Sequence, residues 1–182
     1  MASHIMLHEL GLKHETESVD LKTHKTQKGT DFYTVNPKGY VPYLILDNGQ
    51  PLSENVAILT YLGDQKPSKE DRYKSLEWLA FISTEFHKTI GGLFAFKEES
   101  TVKMIKDKAA KRLELMDKHL ANQEFVVGND FGPADAYLFT ILNWCPKLDI
   151  DLNPYKNITA FMKRIGARPA VQKTMKAEGL LK

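Results

Sequence analysis

Asn36-Pro37, Val41-Pro42 and Ser53-Glu54-Asn55 bracket a short stretch whose residue types suit the grip of an extended ligand carrying a carboxylate. A residue that precedes proline is pushed out of helical space, so Asn36 ends whatever comes before it and Val41-Pro42 sets a second rigid corner. Past that corner, 43–46 is a β-prone run, Asp47-Asn48-Gly49-Gln50 supplies the positive-φ residues of a tight hairpin, and Pro51-Leu52 begins the return strand. A helix opens at Ser53, its expected N-cap, with Glu54 and Asn55 in the first turn and Val56, Ala57, Leu59, Thr60 and Leu62 carrying it to Gly63. Free N–H groups and the positive end of the helix dipole attract a carboxylate there, and main chain at Val41 can pair with an extended ligand as an added strand.

His87 is the second chemically suggestive residue. At about 100° per residue, Ala80, Thr84, His87 and Gly91 share a small, polar stripe, apart from the apolar stripe of Leu79, Ile82, Phe86 and Ile90. With Lys88 at its edge, a histidine on that stripe can donate to a thiolate or shuttle a proton, or it can be an exposed or structurally hydrogen-bonded ring. Other candidates read as structural. Gly132-Pro133-Ala134-Asp135 is a helix start in which the acid reaches back to orphan N–H groups, making Asp135 a folding residue. Cys145, placed midway along the apolar helix that follows, reads as an inert small hydrophobe. Lys103, Lys106, Lys108, Lys111, Arg112 and Lys118 interleave with Glu114, Asp117 and apolar positions, as on a solvated helix face. Trp78, Phe94, Phe96, Tyr137, Phe139 and Trp144 read as packing. The His/Cys spacing matches no metal site, so no metal is expected.

The elements that must position these residues change character near Pro67. Before it, short β-prone and helical runs alternate: a helix over 3–10 stopped by Gly11, a strand near 17–21, a helical turn before Asn36, then the hairpin and helix above. After it, everything reads as helix. Leu79 to Ile90 lies on a long helix from about Lys69, and Val102, Ile105, Ala109, Leu113, Met116 and Leu120 mark the next. The fold class is therefore α/β plus all-α, with domains at 1–64 and 69–182 joined by the polar linker 64–68. At 182 residues and 42% hydrophobic content the chain can build a sizeable core. Twenty-five basic against twenty-three acidic residues leave a net charge of +2, and no basic block alternates with aromatics, which argues against nucleic acid. No apolar run reaches membrane-spanning length, and charged residues interrupt any signal-peptide core, so the expectation is a cytoplasmic protein without a membrane partner. A lone cysteine suits a reducing compartment.

The passage 35–64 resembles the glutathione-site half of the glutathione S-transferases, and is most similar to the bacterial beta class. The resemblance runs on through RYKSLEWLAFISTEFHK (72–88), FVVGNDFGPADAYLFTILNW (125–144) and RPAVQKTMKAEGLLK (168–182). It implies a thioredoxin-like N-terminal domain and a C-terminal helical bundle, a homodimer, and conjugation of the glutathione thiolate to small electrophiles. It also implies that Val41 binds glutathione through its backbone, that Pro42 is cis, and that Glu54, with Asn55, holds the γ-glutamyl end. His24 or Lys25, otherwise a solvated loop, stands where the family has a lysine against the glycyl end. His87 and Lys88 match the active-site His-Lys pair, and Ala80 replaces the asparagine that often completes that pocket. This sequence opens at the family's first helix, so the first strand and the thiol-activating residue are expected to be missing and the sheet to be split; Ser3 or His4 could substitute only within hydrogen-bond reach of the sulfur, and theirs is not the family position. A second reading keeps the grip without the chemistry: a non-catalytic glutathione-binding or scaffolding module, or an inactive truncated form.

Overall fold

The computed structural model describes residues 1–66 and 71–181. The chain begins with α1 (Ala2–Glu9), which ends just before Gly11 as its sequence requires. Two short strands, β1 (Val19–Asp20) and β2 (Lys25–Thr26), pair antiparallel. The expected 17–21 strand is thus shortened, and Lys25 lies in a strand rather than a loop. A 3-10 turn over Phe32–Thr34, capped by Asp31, precedes Asn36. The hairpin follows as β3 (Tyr43–Ile45) and β4 (Pro51–Ser53), with Leu44 opposite Leu52 and Gly49 at φ +79° in the turn. Among the described residues the two hairpins form separate two-stranded sheets, in line with the expected split.

Helices dominate the rest of the described residues. α2 (Asn55–Gly63) begins directly after β4. α3 (Arg72–Phe81) is capped by Asp71, whose carboxylate accepts from Tyr73 N–H and Lys74 N–H, both at 3.0 Å. The expected start near Lys69 and the linker's Pro67 and Ser68 lie outside the described residues. A wide π turn over Ile82–His87 then interrupts what the periodicity reads as one helix, and α4 (Lys88–Ala95) follows. α5 (Glu99–His119), α6 (Pro133–Leu142), α7 (Lys156–Gly166) and α8 (Pro169–Ala177) complete the chain. No described helix is long and apolar enough to cross a membrane.

One core runs through both halves. α6 is buried at every position, and α1 and α2 pack on it beside α8 and α3. Ile5, Met6, Ile58, Leu59 and Leu62 from the first half join Leu79, Ile82, Phe86, Ile90, Leu113 and Phe161 from the second. The stripe read as apolar, Leu79 to Ile90, is wholly buried. Gly63 marks the closest approach: a Cβ there would lie 2.9 Å from Pro133 Cγ, so the end of α2 can seat on the start of α6 only without a side chain. Asp135, 1% exposed, accepts from Gly132 N–H at 2.8 Å and Val126 N–H at 2.7 Å. Glycine offers no hydroxyl in return, so the carboxylate supplies the whole side-chain cap. Cys145 is buried as expected, but α6 stops at Leu142 and the thiol sits in a following 3-10 turn, its pKa pushed up to about 12 by burial. The basic face of α5 is solvated and paired, Arg112 meeting Glu85 at 2.7 Å and Lys103 meeting Asp107 at 2.8 Å. Phe94 and Phe96 depart from the packing expectation: both are more than half exposed, because the chain leaves the bundle as α4 ends.

Candidate functional site

The corner before β3 is held by a buried amide. Asn36 donates through Nδ2 to the Tyr40 carbonyl at 2.8 Å and accepts from Lys38 N–H at 3.2 Å, which fixes the loop that delivers Val41. The Val41–Pro42 peptide is cis. Val41 is 47% exposed, and no hydrogen bond joins its main chain to a described residue. An N–H and a carbonyl presented in this way beside a strand can take up an extended peptide by strand addition.

The helix that faces this corner starts later than its sequence suggests. Ser53 pairs with Tyr43 in the hairpin ladder, so it belongs to β4 and cannot cap. Glu54 takes the N-cap position instead, at φ +70°, and its carbonyl accepts the first helical bond from Ile58 N–H at 3.0 Å. A non-glycine residue there stores roughly 1–3 kcal/mol of backbone strain, a cost that clusters at ligand clamps. Its side chain does not cap the helix. It accepts from Lys38 Nζ at 2.7 Å, and the same ammonium donates to Ser53 Oγ at 3.3 Å. The α2 N–H groups therefore remain without a side-chain cap, as an anion site needs.

His87 ends the π turn, and Lys88, exposed, opens α4. A π turn carries more residues per turn than an α-helix and alters which side chains align. The expected stripe accordingly divides. Ala80 and Thr84 face solvent, with Thr84 Oγ1 donating to the Ala80 carbonyl at 3.0 Å, whereas His87 turns inward beside Gly91, whose Cα would place a Cβ 3.5 Å from the ring. His87 Nδ1 lies 2.7 Å from the Tyr137 hydroxyl, and its ring meets Trp144 edge-on at 5.1 Å. Burial holds the imidazole below its ordinary pKa, so it is neutral near pH 7. The Tyr137 hydroxyl is held above its ordinary value, first by burial; hydrogen bonds from Ser83 and Asn55 oppose that shift and the Glu54 charge adds to it. A hydroxyl that donates to Nδ1 leaves the imidazole proton on Nε2, free to donate outward. Tyr137 thus fixes His87 from α6.

His24 and Lys25 stand apart from that link. His24, at φ +51°, stacks on Tyr33 with ring centres 4.5 Å apart and lies 3.3 Å from its hydroxyl through Nε2, while its Nδ1 is buried without a described partner. Tyr33 in turn packs under Gly39, where a Cβ would lie 2.6 Å from the ring. His24 is therefore stacked against the corner loop rather than solvated, and Lys25 is exposed. A surface cavity of about 610 Å³ between Leu142, Asp149 and Met162 contains none of these residues.

Sequence reasoning missed Lys38 and Tyr137, and it passed over a trio of histidines, His4, His8 and His14, whose nitrogens lie within 4.8 Å of one another. A signal existed for the trio: His4 and His8 are one helical turn apart.

Similarity to known proteins identifies the family. A model of the glutathione S-transferase N-terminal domain matches residues 2–65, and one of the C-terminal domain matches 51–169. Glutathione S-transferase GstA of Escherichia coli O157:H7 is 40% identical, the match covering 99% of this chain and 94% of that one. A glutathione transferase structure from Methylococcus capsulatus is 47% identical with a TM-score of 0.93, again over 99% and 94% of the two chains. A sphingomonad glutathione S-transferase solved in complex with glutathione is 40% identical with a TM-score of 0.92, over 99% and 94%. With both halves matched and the corner, the strained helix cap and the inward histidine in one fold, the chain belongs to the glutathione S-transferase family.

Proposed function

We propose that this chain binds glutathione between the Val41–Pro42 corner and the start of α2, and joins the tripeptide through its sulfur to small electrophiles. The observation that carries the reading is the exposed, unpaired main chain of Val41 beside the uncapped start of α2, in the same fold as an inward His87 held by the Tyr137 hydroxyl. Val41 pairs with the tripeptide main chain, Pro42 sets the corner, and Glu54 takes the γ-glutamyl amine while Asn55 and the α2 N–H groups take its carboxylate. Lys25, with His24 behind it, meets the glycyl carboxylate. The thiol loses its proton to solvent, and the thiolate is held by the His87 Nε2–H and by the positive charge of Lys88. Its sulfur then forms a bond to an electrophilic carbon as the leaving group departs with its electron pair. Trp144 and Phe94, whose rings meet at 5.5 Å, form an apolar wall beside His87 for that electrophile.

Residues 1–64 supply the tripeptide contacts in this proposal and 69–182 supply the wall. A homodimer and a cytoplasmic setting complete it, the latter in keeping with a buried free cysteine. Calorimetry with reduced glutathione and a spectrophotometric assay with an aryl halide test both steps. Affinity that falls ten- to a hundredfold in Glu54→Ala, together with turnover that falls in His87→Ala while binding persists, supports the proposal. Binding without turnover in the parent chain leaves a glutathione-binding module, and no heat at all overturns the site.

A further inference from the structure

The histidine trio shares no residue with the candidate site. His4 and His8 project from one side of α1, and His14 returns to them from the segment that follows. The three rings contact one another pairwise, with centres 4.7, 5.2 and 4.8 Å apart. Three imidazoles brought this close share no hydrogen bond to explain their meeting. One nitrogen from each ring lies within 4.8 Å of the others, a spacing from which three imidazoles can close on one ion. His4 Nδ1 lies 3.0 Å from Glu178 Oε1 and His14 Nδ1 lies 2.8 Å from the Leu12 carbonyl. Each acceptor fixes the proton on Nδ1 and turns the Nε2 lone pair the other way, which is the carboxylate- or carbonyl-buttressed state of histidine in metal sites. His8 makes no hydrogen bond to a described residue and keeps a nitrogen open.

We infer that His4, His8 and His14 form a site for one borderline divalent transition-metal ion such as Zn²⁺, with Glu178 as the carboxylate behind His4. Tetrahedral coordination at about 2.0–2.1 Å puts ligand nitrogens about 3.4 Å apart, so ring rotations of roughly an ångström close the present spacing. Three neutral imidazoles favour zinc, copper or nickel over magnesium or calcium, which take oxygen ligands. The fourth position is left to water. Charge around the site is mixed: Lys173 opposes a cation, while Glu178, also ion-paired to the Met1 ammonium at 3.1 Å, attracts one. Because its members come from α1, the segment after it and the end of α8, the ion ties the start of the chain to its last helix.

Isothermal titration of the full chain with Zn²⁺, beside titration with Co²⁺ followed by visible absorption, tests this. One ion per chain and the intense ligand-field bands of four-coordinate cobalt are expected. His14→Ala sits outside any helix and leaves the fold intact by circular dichroism; it should weaken binding at least a hundredfold and abolish the bands. Glu178→Gln should weaken binding ten- to a hundredfold, and His87→Ala should leave it unchanged. Absence of a stoichiometric zinc isotherm overturns the inference, as does equal binding by His14→Ala. Loss of binding in His87→Ala would place the metal elsewhere and overturn it too.

Discussion

The helix α6 and the hairpin β3–β4 carry their candidate-site residues by different means. Every residue of α6 is buried, its first turn is closed by the Asp135 carboxylate, and it contributes Tyr137 as a fixed polar point in an apolar wall. The hairpin is three residue pairs long, forms its own two-stranded sheet and turns Ile45 to solvent at 62% exposure. A two-stranded hairpin is marginal alone, so its position depends on Leu44 and Leu52 resting on the core. The site therefore couples a stable support to a weakly held gripping edge, and ligand-binding segments are commonly drawn from the least stable part of a fold.

The sharpest way to break that contrast is to remove the support. Asp135→Ala orphans two buried N–H groups and uncaps α6, at about 1–3 kcal/mol per unsatisfied donor, so urea denaturation should show a loss of about 2–5 kcal/mol. A loss below 1 kcal/mol would mean that α6 is not the anchor. Under the same contrast, amides of the hairpin should exchange with solvent far sooner than those of α6.

The next effect comes from the gripping edge and separates binding from stability. Glu54→Ala should weaken glutathione ten- to a hundredfold, the worth of one charge-assisted contact of about 1.5–3 kcal/mol. Glu54→Gly should also lose affinity yet raise stability by up to about 1 kcal/mol, because glycine tolerates φ +70° better. Destabilisation by Glu54→Gly would show that the strain is absent and that the side chain serves the fold.

His87 bonds the Tyr137 hydroxyl on α6, and its titration reports whether that contact is buried in solution. Burial lowers its folded-state pKa from 6.5, so between the folded value and 6.5 the unfolded chain binds more protons than the native one. Stability then rises with pH across that window: it is undiminished above about 6.5 and falls as pH drops toward the lowered value. His87→Asn should flatten this part of the curve measured by urea titrations at several pH values. An unchanged slope would place the ring in solvent and detach it from Tyr137.

Much of this architecture was legible because local rules and global packing agree. The apolar spacing of Leu79, Ile82, Phe86 and Ile90 was enough to define a buried face, and Asn48-Gly49 was enough to define the hairpin turn. The π turn was not legible, since it leaves that apolar spacing intact and no local residue signals it. Ser53 misled because a serine before a helical run looks like a cap, while its pairing with Tyr43 is a tertiary fact. The candidate site residues reached by resemblance, Val41, Glu54 and His87, were proposed at the level of the motif. Their partners were not: Lys38 lies 16 residues from Glu54, and Tyr137 lies 50 from His87. Aromatic and basic side chains in such positions carry no mark that distinguishes packing or solvation from a site.

Lys38 gives the smallest effect and the finest test of the gripping edge. Its ammonium bridges Glu54 and Ser53 with both charged groups more than half exposed, and such a pair contributes between zero and about 1 kcal/mol, less as salt rises. Lys38→Ala should therefore move stability by no more than about 0.5 kcal/mol. Its effect on the ligand has a definite sign. If Glu54 takes the γ-glutamyl amine, Lys38 competes with that amine for the same carboxylate, and its removal should tighten glutathione binding about two- to threefold at low ionic strength, with the gain fading in high salt. A fall in affinity instead would mean that Lys38 itself meets a glutathione carboxylate. The positive group at this edge would then be part of the clamp rather than a placeholder, and the contribution assigned to Glu54 would have to be shared between the two side chains.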